Sequence, residues 1–360
     1  MPARTRLFEP LAIRDVTLRN RIVVSPMCQY SSDDGFATDW HLVHLGSRAV
    51  GGAGLVFTEA AAIEPRGRIS PMDLGIWLDE HVPMLARINT FIEAQGAIAA
   101  SQLAHAGRKG SVGPPWMQPR GWVTPDQGGW EPIAPTAEKD MPYYPLPHAL
   151  HIDEIAELVR QFADAARRSD SAGFKITEIH AAHGYLLHEF LSPLSNQRDD
   201  RYGGSFENRI RFLLEVTDAV RAVWPESKPL FVRISATDWD AGGWTIDDSI
   251  ALAKILKTRG VDVIDVSSAG IGRSPLESAA QAPLYQVPFS ERIRREADVL
   301  TVAVGLITTG TEAESVLESG GADLVALARA YLGDPYFPYR AANQIGERLD
   351  WPRQYRRATL

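Results

Sequence analysis

Residues 230–269 run LFVRISATDWDAGGWTIDDSIALAKILKTRGVDVIDVSSA, one complete strand–helix–strand alternation. Leu230–Ala236 and Val261–Ala269 are near-continuous apolar runs, the pattern of parallel strands covered on both faces. Between them Thr245–Arg259 has helical spacing, and Gly260 is its stop signal.

The alternation extends in both directions. Upstream strand candidates are Arg21–Ser25, Gly54–Ala60, Ala97–Ala104 and Phe174–Ala181; downstream ones are Val299–Ile307 and Ala322–Arg329. Asp79–Gln95 places Val82, Leu85, Ile88 and Ile92 at helical spacing, and Asp153–Ala172 does so with Ile155, Leu158, Val159 and Phe162. Ser205 is placed to cap a helix over Phe206–Trp224, with Glu207 in its first turn. Glu312–Glu318 is shorter and stops at Gly320–Gly321. Eight strands alternating with helices is the count of a closed barrel. An open doubly wound sheet is the rival, but no GxGxxG fingerprint follows the first strand. The expectation is an α/β protein, a single (β/α)8 TIM barrel over residues 1–360.

One segment breaks the rhythm. Lys109–Leu150, after the third strand, holds nine of the 24 prolines together with Trp116, Trp122 and Trp130. Such proline density opposes regular helix or sheet, and the aromatics imply a loop packed on something. At the face where barrel active sites form, it reads as a lid or pocket wall.

Composition narrows the function. The 360 residues are 45% hydrophobic and 23% charged, ordinary for a globular protein with a sizeable core. A formal charge of −8 and the lack of a long basic run argue against a nucleic-acid partner. The single cysteine, Cys28, excludes an intramolecular disulfide framework and a metal cluster held by four cysteines. Glu9, Pro10 and Asp15 interrupt any signal-peptide core, and the apolar stretches around Gln95–Gly107 and Val299–Thr311 fall short of the ~20 residues of a membrane span. A cytoplasmic protein with no membrane partner is expected.

Barrel chemistry is built from strand C-termini and the loops after them. The first strand end offers Ser25, Pro26, Met27, Cys28, Gln29 and Tyr30, the second Glu59 and Ala60, the third Gln102 and His105. The fourth offers His180, His183 and Tyr185, the fifth Arg233, the sixth Ser267 and Ser268, the seventh Gly305 and the eighth Arg329. The last two ends suit a phosphate: backbone at Gly305–Ile307 for close approach, Arg329 for a forked cation. His180 and His183 project to one side if the chain coils there, and their ring N–H groups then converge on one oxygen. A divalent metal, with Glu178 or His188 as third ligand, and a purely structural pair both stay open on spacing alone. Arg233 points charge into the mouth, Gln102 pairs a donor with an acceptor, and Tyr185 carries a phenol suited to proton donation.

Taken together these positions resemble the Old Yellow Enzyme family of flavin-dependent ene-reductases, most closely its bacterial thermophilic-like subgroup, which includes the xenobiotic reductases. The words that carry the resemblance are Asn20-Arg21-Ile22, Ser25-Pro26-Met27-Cys28-Gln29-Tyr30, Gln102 through Lys109, Glu178 through Leu186, and Tyr202 through Arg209. They span nearly the whole chain, in order. The resemblance implies FMN at the barrel mouth, lined by Ser25, Pro26, Met27, Cys28 and Ala60, with Gln102 on its pyrimidine edge. Arg233 would stabilise the reduced flavin, and Cys28 would tune its potential. Gly305, Ala328 and Arg329 would hold the phosphate; the family usually has Gly where this chain has Ala328. Tyr30, His180, His183 and Tyr185 would face substrate.

The activity so implied is ping-pong reduction of activated alkenes, small α,β-unsaturated carbonyl compounds. NADPH, or NADH, reduces FMN and leaves. The alkene then binds, its carbonyl polarised by His180 and His183, and Tyr185 gives the proton. No metal is called for. The tail, 351–360, resembles a segment that inserts an arginine, best matched by Arg357, into a neighbouring subunit's site, implying a homodimer or homotetramer. Two readings stand outside the resemblance: a metal- or phosphate-dependent barrel lyase or isomerase, and a barrel that binds a ligand without turnover.

Overall fold

Eight strands close into a parallel barrel whose order around the ring follows the chain. The computed structural model describes residues 5–117, 121–139, 144–272 and 282–358. The strands are β1 (Ile22–Val24), β2 (Leu55–Ala62), β3 (Ile98–Ala104), β4 (Ile176–Ala181), β5 (Leu230–Ser235), β6 (Val263–Ser267), β7 (Leu300–Ala303) and β8 (Leu324–Leu327), and β8 pairs with β1 to seal the ring. Every residue of β4, β5 and β6 is buried, which explains their unbroken apolar reading. Helices follow each strand in turn: α1 (Asp39–Val50), α2 (Val82–Ala94), α3 (Ile152–Ser171), α4 (Arg211–Val223), α5 (Ile246–Thr258), α6 (Val287–Ala297), α7 (Gly310–Glu318) and α8 (Phe337–Gln344).

Two apolar layers hold this arrangement. Leu45, Ile88, Phe162, Phe212, Leu252 and Ile293 lie in the outer core between helices and barrel. Inside the barrel, Val23, Leu55, Phe57, Ile176, Phe231 and Val302 fill the lower part. Ile13, Val16 and Leu18 join that inner cluster from an antiparallel hairpin, Leu11–Ile13 with Val16–Leu18, which stoppers the bottom. With each buried side chain worth roughly 1.5–3 kcal/mol, the lower barrel is a packed core, and open space is left at the strand C-termini.

The structure departs from the sequence expectations in three places. Nothing in the sequence pattern predicts the hairpin. The helix expected over Phe206–Trp224 is kinked into Phe206–Arg209 and α4 at Ile210, which is buried in the outer core and keeps helical dihedrals (φ −78°, ψ −14°). The Lys109–Leu150 segment is mostly irregular, yet Ile133–Ala134 pairs with His148–Ala149 as a parallel bridge. Its residues 118–120 and 140–143 lie outside the described set. The part that is described is anchored: Ser111 Oγ donates to Val123 O (2.7 Å) and accepts from Trp130 N (2.8 Å).

Candidate active site

A polar layer caps the apolar one at the barrel mouth. Register places Gln102 opposite Glu178, His180 opposite Arg233, and Arg233 opposite Asp265. Gln102 Nε2 donates to Glu178 Oε1 (2.7 Å), and Arg233 Nη1 donates to Ser25 Oγ (3.2 Å). Arg233 Nε lies 3.3 Å from Asp265 Oδ2, but no acceptor among the described residues is aligned to it. One guanidinium thus faces two buried carboxyls. Burial pushes Glu178 well above the usual carboxylate range, Asp265 adds repulsion, and Arg233 opposes both. Asp265 is raised by burial against the same cation.

The two histidines meet, by a route other than the coil expected from their spacing. His180 is the penultimate residue of β4, in extended backbone, whereas His183 adopts a left-handed conformation (φ 62°) two residues past the strand. Such a residue costs roughly 1–2 kcal/mol, and the neighbours hold it there. Its N–H donates to Ser235 Oγ (2.9 Å), and its carbonyl accepts from Lys109 Nζ (3.0 Å). His180 Nε2 and His183 Nδ1 then face each other at 3.4 Å, with the rings edge-on at 78°. An oxygen about 2.9 Å from each nitrogen closes a triangle on that base. Both imidazoles are held well below their ordinary pKa, first by burial and next by Arg233, so they are neutral at pH 7.

The rival metal ligands do not join them. Glu178 is turned to Gln102, and His188 accepts from Gly184 N (2.8 Å) and lies 3.1 Å from Asp238. Among the described residues, the grouping of three candidate metal ligands is His148, His151 and Glu154, at the outer start of α3.

Tyr185 stands beside the pair, its ring 5.2 Å from that of His180. It shares a small apolar cavity with Ala60, Ile69, Ala106 and Asp73. Burial pushes its phenol well above the ordinary range, so it stays protonated. The Asp73 carboxyl is pushed up to about 8 by burial and then by the charge of Glu59. Burial, then Asp73 and Glu59, raise the Cys28 thiol. Glu59 itself accepts from Gln29 N (3.1 Å) and lies 3.0 Å from His41 Nε2, aimed there where the β2–β3 register shifts between Phe57 and Ala60. Tyr30 (φ 50°) meets the long loop through an edge-on contact with Trp116 at 5.6 Å.

Across the mouth, a cavity of about 180 Å³ is lined by Tyr285, Gln286, Gly305, Leu306, Ala328 and Arg329. Gly305 has φ +132°, and a Cβ there would lie 3.0 Å from Gln286 Nε2. Ala328 leads into the short helix Arg329–Gly333. Arg357 is exposed on the tail that packs Trp351 and Tyr355 against Tyr336, and is not among the side chains gathered at the mouth.

A profile of the NADH:flavin oxidoreductase / NADH oxidase family matches residues 6–348. The chain belongs to this family. It is 49% identical to an NADPH dehydrogenase of Geobacillus sp. (strain WCH70), and the match covers 98% of each chain. An NADPH dehydrogenase of Bacillus subtilis (strain 168) is 46% identical, again over 98% of both. Among solved structures, morphinone reductase in complex with tetrahydroNAD superposes with a TM-score of 0.79 at 28% identity, covering 97% of this chain and 93% of the other. As a member of the family the chain is an FMN-dependent NAD(P)H oxidoreductase. No helix among its described residues is long and apolar enough to cross a membrane.

Sequence reasoning passes over some of the residues that shape the barrel mouth. Ser235 shares the inward face of β5 with Arg233, two residues away, and period two would find it. Lys109 and Asp73 come from loops, and no local pattern points to them.

Proposed function

We propose that the chain reduces the activated C=C bond of α,β-unsaturated carbonyl compounds at the expense of NADPH. The observation that carries this reading is the pair of neutral imidazoles whose His180 Nε2 and His183 Nδ1 lie 3.4 Å apart, near enough for one oxygen to reach both. A carbonyl oxygen that gains electron density during reduction is the acceptor such a pair would stabilise most. The choice of reductant is supported by the relatives from Geobacillus and Bacillus, both NADPH dehydrogenases.

The mouth fits FMN. Arg233 keeps an unmatched Nε among buried groups, Gln102 retains its amide oxygen, and the cavity at Gly305, Ala328 and Arg329 joins close backbone approach to a cation. Ser25, Pro26, Met27, Cys28 and Ala60 would line the ring system. When bound, FMN supplies the two-electron carrier between nicotinamide and alkene. The protein's part is orientation and charge. His180 and His183 bind and polarise the substrate carbonyl; Tyr30 and the Trp116 loop wall the pocket. Tyr185, held protonated, delivers the proton from its O–H to the carbon next to the carbonyl.

The assembly belongs to the same proposal. Trp40 and Val43 on α1 are exposed apolar side chains on the outside of the barrel, a face suited to a second copy. In such a homodimer, or a homotetramer built from it, Arg357 would reach the neighbour's mouth. A monomer with full activity would refute that. A reducing cytoplasm suits the single free thiol of Cys28.

The central test is anaerobic spectroscopy of the purified protein. Flavin absorbance should bleach on adding NADPH and return on adding cyclohex-2-enone. Bleaching with no return under excess enone would remove the alkene from the proposal, and colourless protein that takes up no FMN would remove the whole of it.

A further inference from the structure

His183 is gripped at three points. Its N–H and its carbonyl are engaged by Ser235 Oγ and Lys109 Nζ, and its ring Nε2 lies 2.7 Å from Ser267 Oγ at the end of β6. Ser235 has already committed its own proton to Ala269 O (2.6 Å), so its oxygen is the acceptor for the His183 N–H. The backbone turn is thereby fixed, and the ring is left with one decision: which nitrogen carries its proton.

We propose that Ser267 is a positioning residue: its hydroxyl donates to His183 Nε2 and keeps the imidazole proton on Nδ1, the nitrogen that faces the oxygen-binding point beside His180. Counting protons supports this direction. Among the described residues the Ser267 hydroxyl has one hydrogen-bond partner, His183 Nε2. Were Nε2 protonated instead, it would donate to Ser267 Oγ, and the buried hydroxyl proton would be left without an acceptor among the described residues. His183 Nδ1 would then be a bare lone pair, able to accept from His180 Nε2 but not to donate to a substrate oxygen. A neutral ring holds one proton, so the side that meets Ser267 determines what the side that meets substrate can do. Burial, then Arg233, His180, His188 and Lys109, all oppose a second proton on the ring, which makes this choice of tautomer consequential.

That a carbonyl oxygen is the acceptor rests on the function proposed above; the tautomer does not. The test separates the two. In ¹⁵N-histidine-labelled holoenzyme, the His183 ring signals are assigned by their loss in His183→Asn, and their shifts report which nitrogen is protonated. The wild type is expected to show protonated Nδ1 and bare Nε2. Ser267→Ala is expected to move both signals toward the opposite or an averaged pattern. It should also raise KM for cyclohex-2-enone about tenfold, the scale of one hydrogen bond, with a smaller fall in kcat. Ser267→Thr, which keeps the hydroxyl, should restore shifts and KM together. Protonated Nε2 in the wild type, or an unchanged tautomer in Ser267→Ala, would overturn the proposal. Protonated Nδ1 that depends on Ser267, in an enzyme that never reduces enone, would leave Ser267 in its role and remove the alkene.

Discussion

Arg233 and Asp265 are register partners on neighbouring strands, and their side chains meet at 3.3 Å where neither reaches solvent. Glu178 shares the same cation, so one positive charge serves two carboxyls whose proton affinities are already raised by burial. Removing Arg233 leaves them uncompensated, which typically costs about 3–5 kcal/mol. The sign of the pH dependence follows. A carboxyl with a raised folded pKa contributes stability at low pH and loses it as pH rises through that pKa. Arg233→Met should therefore be less stable than wild type throughout, and the gap should widen from pH 5.5 to 8.5. Thermal unfolding at the two pH values measures it; a gap that narrows toward alkaline pH would contradict the charge arrangement.

Asp73 offers a second, separable pH effect. Its folded pKa of about 8 stands above the ordinary aspartate value of 3.8. The stability it contributes is fully present below about pH 4 and is lost as pH rises through 8. Asp73→Asn cannot ionise and can still accept the Ile69 N–H that Asp73 Oδ2 accepts at 2.7 Å. The advantage of the variant over wild type should be small near pH 5 and grow steadily to pH 9. Equal differences in Tm at both ends would show that Asp73 does not change its charge in this range.

The barrel is legible in the sequence because strands such as Leu230–Ser235 are buried on both faces and leave unbroken apolar runs. The bottom hairpin is not, since two strands of three residues are shorter than any period they could display. At the site, His180, Arg233 and Ser267 can be found from position alone, because strand ends point to the mouth. Glu59 is visible as a strand end, but its turn toward His41 depends on a register shift against β3 that only pairing creates. The geometry of the histidine pair is hidden for a related reason. Spacing of three suggests a helical turn, whereas Ser235 and Lys109, distant in sequence, impose a left-handed residue.

The pair's neutrality carries its own expectation. Burial and Arg233 lower both imidazole pKa values well below 6.5, so neither ring should titrate as pH falls from 8 to 6.5. The value of kcat/KM for cyclohex-2-enone should be flat across that window. His180→Ala/His183→Ala should lower it by about 10²–10³-fold with FMN content unchanged. Unchanged kinetics in the double variant would remove the role given to the histidines.

Tyr185→Phe keeps the ring beside His180 and deletes the proton. Reoxidation of the reduced enzyme by cyclohex-2-enone should slow by about 10²–10⁴-fold, while its reduction by NADPH changes little. Because the phenol's pKa is raised well above 10, wild-type reoxidation should show no loss from Tyr185 ionisation between pH 7 and 10. Stopped-flow measurement of the two half-reactions decides it: equal slowing of both would assign Tyr185 to packing.

Gly305 and Gly320 allow backbone strain to be separated from cofactor binding. Both have positive φ, +132° and +77°, so alanine is strained at either position. At Gly320 the nearest atom to an added Cβ is the flexible end of Arg294, 3.7 Å away, on the outside of the barrel. At Gly305 the Cβ would press on Gln286 at 3.0 Å, within the cavity proposed for the FMN phosphate. Gln286 cannot simply withdraw, because it accepts from Ser268 Oγ (2.5 Å) and donates to Val304 O (3.1 Å). Both alanine variants should lose some thermal stability, but only Gly305→Ala should weaken FMN binding, by tenfold or more on the scale of about 1.4 kcal/mol per decade. Fluorescence titration of FMN against each variant reads the difference. Equal weakening would trace the effect to strain in the scaffold and place the phosphate elsewhere.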